Sequence, residues 1–443
     1  MSYLNFISEV LDKTTKAGAT EADIILFDSN ATSIDIRHSK LENIERSSSR
    51  ALGIRAFVGN KYAIVSSSNF STEDIAKLAE KVVEMAKVST EDQDSSLADS
   101  KLYPSQDIDL EQYDSTEPEI SWLQEQALKT EAAALDNKQI TNSEGANISH
   151  GKTLTAIANT KGFIREFYSS DCSLSVSVIA GKDDKMERDY DYSTKIFFSD
   201  LEKPEDIGKS AAERTISRLN PRSVKTDELP VIFDSRVASS IIACLVKSIN
   251  GASIVRGTSF LKDKMHQSLF SKNINIIDDP LLVRGLGSRY FDAEAVATKK
   301  LYLIKDGILQ TWLLDSRSAK KLGLTSQGHA SRSISSPPRP TSSNVYLANG
   351  SISEAELIKT VKKGVYITEL SGMGINLITG DYSQGACGYM IENGKITYPI
   401  SEFTIASNLI NIFQSLTPAN NLNFKNSINS PTIKIEKMTV AGN

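Results

Sequence analysis

Apolar positions recur at helical spacing at the start of the chain. Leu4, Ile7, Val10 and Leu11, with Glu9, Asp12 and Lys13 among them, predict an amphipathic helix ending near Gly18. The period then drops to two: ADIILFDSNATSIDIRHSKLENIERSSSRALGIRAFVGNKYAIVSS alternates apolar and polar residues in short runs, which predicts a meander of strands. Helical spacing returns after Ser71, an N-cap with Asp74 three residues on, and places Ile75, Leu78, Ala79, Val82 and Val83 on one buried face. From 89 to 118 no period survives. Nine acidic residues, one lysine, Pro104 and Pro118 predict a solvated connector.

The pattern then repeats. An alanine-rich helix is predicted over Glu119–Leu135, strands at Leu154–Asn159, Gly162–Tyr168 and Ser173–Ala180, and a helix from Pro204. The helix starts read EDIAKLA (73–79) and EDIGKSA (205–211), five identities in seven, each after a strand-rich block. We take them as two related α+β units, 1–110 and 111–225.

The remaining segment, 226–443, opens at LPVIFDSR and runs into a helix over VASSIIACLVKSI, with Asp234 as N-cap and Gly251 as its C′ residue. So little of this helix is polar that it should be buried. Strands are predicted at Ile274–Ile277, Ala295–Ile304 and Ile308–Leu314, the last two joined by a Lys305-Asp306-Gly307 turn. A loop at 335–344 and a capped helix from Ser353 to Lys363 follow. Between 364 and 409, six glycines punctuate β-branched runs, and Asn393-Gly394 predicts a type I′ hairpin. The fold class is α+β, the C-terminal half being a mixed or antiparallel, curved, barrel-like sheet.

Composition narrows the function classes. With 55 acidic and 50 basic residues the net charge is −5, which leaves no electrostatic footprint for nucleic acid. The longest nearly apolar run, Val237–Val246, is too short to span a bilayer, and the first residues read as a helix rather than a secretory signal. Three scattered cysteines, Cys172, Cys244 and Cys387, suit a reducing cytoplasm. ANISHGKT (146–153) imitates a phosphate loop, but a strand-like LTAIANTKG follows where a helix is needed. DYSQG lacks the first glycine and the helix of a nucleophile elbow.

Four stretches, GLGSRYFDAEAVAT (285–298), IKDGILQTWLLDSRSAKKLGLTSQGHA (304–330), the GDYS to PISEFTIA segment and the terminal EKMTVAGN, resemble the TldD/PmbA family of cytoplasmic metallopeptidases, and within it the PmbA branch, also called TldE. The resemblance implies a subunit that works with a TldD-type protein on unfolded peptides, including peptide-antibiotic precursors. In the TldD branch the buried helix carries HExxxH, two zinc-binding imidazoles and a glutamate that takes a proton from the bound water. Aligned on RGTS (256–259), those positions fall here on Ile242, Ala243 and Lys247. The cysteine ligand of that branch has no counterpart in NSINSPTIKI (426–435). The resemblance therefore implies no metal and no catalytic residue in this chain, with zinc in the TldD-type partner and activity only in the complex.

Two other functions stay open: a self-sufficient metallopeptidase with ligands gathered from distant positions, and a non-enzymatic peptide-binding or regulatory homodimer. His38, His150, His266 and His329 are too far apart for a local two-histidine motif. His329, in GHA, is either a groove residue for a peptide or a loop holder, the second being preferred. Asp381, Tyr382 and Ser383 are read as a glycine-flanked turn, open to a peptide backbone or closed on its own. Cys387, between small residues, reads as core rather than nucleophile.

Overall fold

The structure, a computed structural model, describes residues 2–442. Its N-terminal half contains two units of the same order. The first is α1 (Tyr3–Lys16), β1 (Glu21–Arg37), β2 (Lys40–Val58), β3 (Lys61–Ser67) and α2 (Thr72–Val88); the second is α3 (Ile120–Leu135), β4 (Ile140–Asn159), β5 (Ile164–Ala180), β6 (Glu187–Lys195) and α4 (Pro204–Ser217). All six strands join in one antiparallel sheet ordered β3-β2-β1-β4-β5-β6, so the first strands of the two units meet at its centre. The matching heptapeptides occupy equivalent places at the starts of α2 and α4. Ile75 and Ile207, and Ala79 and Ala211, are all buried. The heptapeptides differ at Gly208, where a Cβ would lie 2.3 Å from the Thr130 carbonyl of α3, so only glycine lets these helices cross so closely.

The strands run longer than their hydrophobic patterns suggest. The two strands predicted over 162–168 and 173–180 are one strand, β5, which starts at Ile164, and ANISHGKT lies within β4, paired with β1 from Ala146↔Ile36 to Thr153↔Ser29. The hairpin of β1 and β2 turns at His38 (φ 51°) and Ser39 (φ 57°), left-handed conformations without a glycine. Their two N–H groups donate to the carboxylate of Glu131, fully buried on α3, at 2.9 and 2.7 Å.

The C-terminal half comprises β7 (Asp227–Phe233), α5 (Ser235–Ser248), α6 (Gly251–Val255), β8 (Ile276–Asp278), β9 (Leu301–Lys305), β10 (Ile308–Leu309), α7 (Ser316–Lys321), β11 (Ala330–Ser331), β12 (Arg339–Pro340), β13 (Val345–Leu347) and α8 (Glu354–Lys359). The chain closes with β14 (Lys363–Asn376), β15 (Asp381–Glu392), β16 (Lys395–Asn408), α9 (Leu409–Ser415), β17 (Leu416–Pro418), β18 (Ile428–Asn429) and β19 (Ile433–Ala441). Strands β16-β15-β14-β7-β19 form a sheet whose ends meet, because β19 pairs back onto β16 from Thr404↔Ala441 to Ala406↔Thr439. This closed five-stranded barrel removes both sheet edges. A second sheet, β10-β9-β8-β13-β18, lies on the other side of α5, which packs against β18 and β13 as well as β14 and β7.

The predicted hairpin turns form: Asn393 (φ 51°) and Gly394 (φ 75°) link Glu392 to Lys395, and Asp306 (φ 50°) and Gly307 (φ 78°) link Lys305 to Ile308. Several details differ from the sequence reading. Residues 295–300 and 310–314 stay outside strands. Gly251 opens α6 instead of ending α5, and its missing Cβ makes room for the Leu313 carbonyl. The acidic segment 89–118 is not a free linker but a strap that ties the two halves together. Asp92 pairs with Arg317 (2.6 Å), Glu111 with Arg284 (2.7 Å) and Asp107 with Arg165 (3.1 Å), while Leu97, Ala98 and Leu110 are buried. Several of its charges have fixed partners, which composition does not reveal. Among the described residues no helix is long and apolar enough to cross a membrane.

Candidate functional site

Helix α5 is placed by Asp234, where β7 leaves the barrel. The Asp234 carboxylate accepts the Arg236 N–H at 2.8 Å and the Tyr366 hydroxyl at 2.7 Å, so it caps the helix and ties it to β14. Ala238, Ile241, Ile242, Cys244, Leu245 and Ser248 are buried between the barrel and the second sheet. Ile242 is therefore core, Ala243 is half-buried on the flank and Lys247 reaches solvent. Ser235, Ser239 and Ala243 recur at four-residue spacing and share a face. The first two line a cavity of about 510 Å³ together with Asn429 and Ser430 of the 426–435 stretch and Asp191 and Tyr192 of β6.

The two stretches that carry ligands in the TldD branch are thus neighbours here, but their side chains do not suit zinc. Ile242 and Ala243 have no donor atom, and Lys247 is a cation. The Asn429 side-chain Oδ1 accepts the backbone N–H groups of Lys425 and Asn426, while the Ser430 hydroxyl donates to the Pro431 carbonyl. Among the described residues no three His, Cys, Asp or Glu side chains gather into a metal-holding group.

Along the Ser235 and Ser239 side of α5 runs a charge-balanced polar wall at the junction of the two halves. Asp191, buried on β6, faces Arg214 at 3.2 Å and Lys425 at 3.7 Å, and Lys425 also reaches Glu202 at 3.1 Å. In an adjoining cavity of about 360 Å³, Asp189 pairs with Arg236 (2.9 Å) and Arg218 (3.5 Å), and Arg218 also binds Glu187 (3.3 Å) and Glu369. Burial would raise the Asp189 carboxyl, but the Arg236 contact holds it below the usual carboxylate range. Such a wall can hydrogen-bond a peptide backbone. The cysteines near it are not activated thiols: burial pushes Cys244 up to about 11, and Cys387 upward despite the Arg218 guanidinium.

The other residues singled out in the sequence lie apart from this wall. His329 is buried, with Nε2 3.3 Å from Asp278 and its carbonyl accepting the Thr341 N–H at 2.7 Å. Burial would raise Asp278, but its bonds to His329 and Ser343 lower it. This is the geometry of a loop holder. Asp381, Tyr382 and Ser383 begin strand β15 rather than forming a turn, the turn being the preceding residues up to Gly380. Asp381 and Ser383 are exposed, whereas Tyr382 is core. The wall residues Asp189, Asp191, Arg214, Arg218 and Arg236 carried no signal in the sequence. Their partners are distant, Arg218 and Glu369 being 151 positions apart.

Comparison with known proteins adds the family. The profiles of the PmbA/TldA metallopeptidase domain 1, central domain and C-terminal domain match residues 22–86, 113–219 and 226–442. Metalloprotease PmbA of Escherichia coli O157:H7 is 36% identical over 423 residues, covering 95% of this chain and 92% of that protein. The PmbA homologue of Haemophilus influenzae is 34% identical over 439 residues, covering 99% and 95%. Among solved structures, a Bacteroides thetaiotaomicron protein described as a candidate modulator of DNA gyrase superposes with a TM-score of 0.92 at 26% identity, covering 99% of this chain and 98% of that one. TldE from Thermococcus kodakarensis superposes with a TM-score of 0.87 at 21% identity, covering 99% and 100%. With all three domains matched and full-length relatives above 30% identity, the chain belongs to the PmbA/TldD metallopeptidase family, on its PmbA (TldE) side.

Proposed function

We propose that this chain is the PmbA-type subunit of a two-chain cytoplasmic metallopeptidase that acts on unfolded peptides, and that a TldD-type partner supplies the zinc and the catalytic glutamate. One observation carries the reading. Helix α5 and the 426–435 stretch sit together beside a cavity of about 510 Å³, yet the positions that hold metal and base in the TldD branch are Ile242, Ala243 and Lys247. The relatives' name of metalloprotease and the TldE structure support the family role. In this reading the chain contributes walls and hydrogen bonds, through residues such as Ser239, Arg214 and Asp191, and holds a substrate extended while the partner cuts it.

The test is zinc content and cleavage of an unstructured peptide, for the purified chain alone and mixed with a TldD-type protein from the same source. The isolated chain should hold no stoichiometric zinc and cut nothing. The mixture should cut, and lose activity when the partner's HExxxH glutamate is changed. One zinc per isolated chain with cleavage overturns the assignment.

A further inference from the structure

A second cavity, of about 690 Å³, lies where the strap meets the C-terminal half, away from α5. Part of its wall comes from two of the stretches that carry the family resemblance, 285–298 and 304–330, which the proposed role of α5 does not use, and the rest from 101–103, 265–266 and Lys299. Its charge is one-sided. Lys101 and Lys299 line it beside the His266 imidazole, and no Asp or Glu does so among the described residues. The α5 cavity differs, since Asp191, Glu202 and Asp206 balance its cations. Lys300, next to Lys299, pairs with Asp279 at 3.0 Å, but Lys101, Lys299 and His266 make no ion pair among the described residues.

The remainder of the wall is ordered and partly apolar. The Gln327 amide donates to the Thr311 hydroxyl at 3.1 Å, and the Ser326 hydroxyl donates to the Leu314 carbonyl at 3.1 Å. Trp312, only 4% exposed, contributes an aromatic surface, and Leu322 and Leu324 add aliphatic ones. His266 is held at φ 59°, its N–H donating to the Leu309 carbonyl at 3.0 Å. Unpaired cations over an apolar floor, in a volume typical of ligand pockets, fit a molecule with one anionic end and an apolar body.

We propose that this cavity binds the free C-terminal carboxylate of a peptide, with Lys101 and Lys299 on the carboxylate and the last apolar side chain against Trp312. The choice of a peptide rests on the subunit reading above; the cation set does not.

The experiment is a calorimetric titration of the isolated full chain with acetyl-Gly-Ser-Ala-Phe-Leu, as the free acid and as the amide, together with the Lys101→Ala/Lys299→Ala variant. It involves no cleavage and no partner, so its failure is distinct from failure of the subunit reading. The acid should bind and the amide at least about tenfold more weakly, a loss of the size expected for a charge-assisted hydrogen bond. The double variant, altered only at exposed side chains, should bind the acid as weakly as the amide, and in a Trp122→Phe background the acid should change Trp312 emission. Equal binding of acid and amide, or an unaffected double variant, overturns the proposal. If inorganic phosphate displaces the peptide and acetyl-triglycine binds as tightly as the apolar peptide, the cavity is a general anion site and the peptide assignment fails.

Discussion

Single residues hold this fold at points where backbone and charge are costly to bury. Glu131 is the clearest case, because its fully buried carboxylate satisfies the two N–H groups of the His38-Ser39 turn and the Ser143 hydroxyl. Glu131→Ala strands these donors and should cost about 3 kcal/mol in urea unfolding, with Glu131→Gln costing less. Glu294 works in the opposite sense. Burial first, and the Asp292 carboxylate second, raise it from 4.5 to about 7. The unfolded chain therefore loses this proton first, and between those values the folded state binds more protons, so this group's effect on stability worsens as pH rises and levels off above about 7. Replacing it by glutamine should remove that slope. The stability difference between Glu294→Gln and wild type should grow in favour of the variant as pH rises from about 4.5 to 7, as followed by urea midpoints. A pH-independent difference would show that Glu294 titrates normally.

Elements here are defined by closure and by repetition. Inside the closed barrel, β15 approaches β14 so tightly that a Cβ on Gly388 would fall 1.9 Å from the Tyr366 carbonyl. Gly388→Ala should destabilise the protein by about 2–3 kcal/mol in urea or heat, since neither paired backbone can move without opening the ladder. The paired units show why the repeat was readable only at its helix starts. There the buried positions Ile75/Ile207 and Ala79/Ala211 impose the same residues. In the strands, by contrast, the two units meet different neighbours, and their sequences are free to diverge.

For the whole molecule the decisive contacts join the halves. Arg332, from the loop after His329, reaches the sheet and binds Asp23, which also binds Arg55, all three buried. Burial would raise Asp23, but the two guanidinium groups hold it below the usual carboxylate range. The acidic strap adds contacts along the same junction. Arg284→Ala together with Arg317→Ala should release it, and cleavage by a glutamate-specific protease at Glu91, Glu111 and Glu117 should become several-fold faster. An unchanged rate would mean that Leu97 and Leu110, not the ion pairs, hold it down.

The sequence by itself determined the local features: the helices and most of their N-caps, the two glycine-containing hairpin turns, the repeated unit, the family, and side chains at Ile242, Ala243 and Lys247 that are apolar or cationic. These depend on residues within a turn or two of one another, or on side-chain chemistry that no fold alters. Only the tertiary structure decided that the acidic segment is a strap, that 381–383 begin a strand, that His329 is tied to Asp278, and that Asp189, Asp191, Arg214 and Arg218 form a wall beside α5. Each of these depends on groups brought together across large sequence separations, where the energy of an ion pair or a buried hydrogen bond belongs to the assembled surface and leaves no periodic trace in the chain.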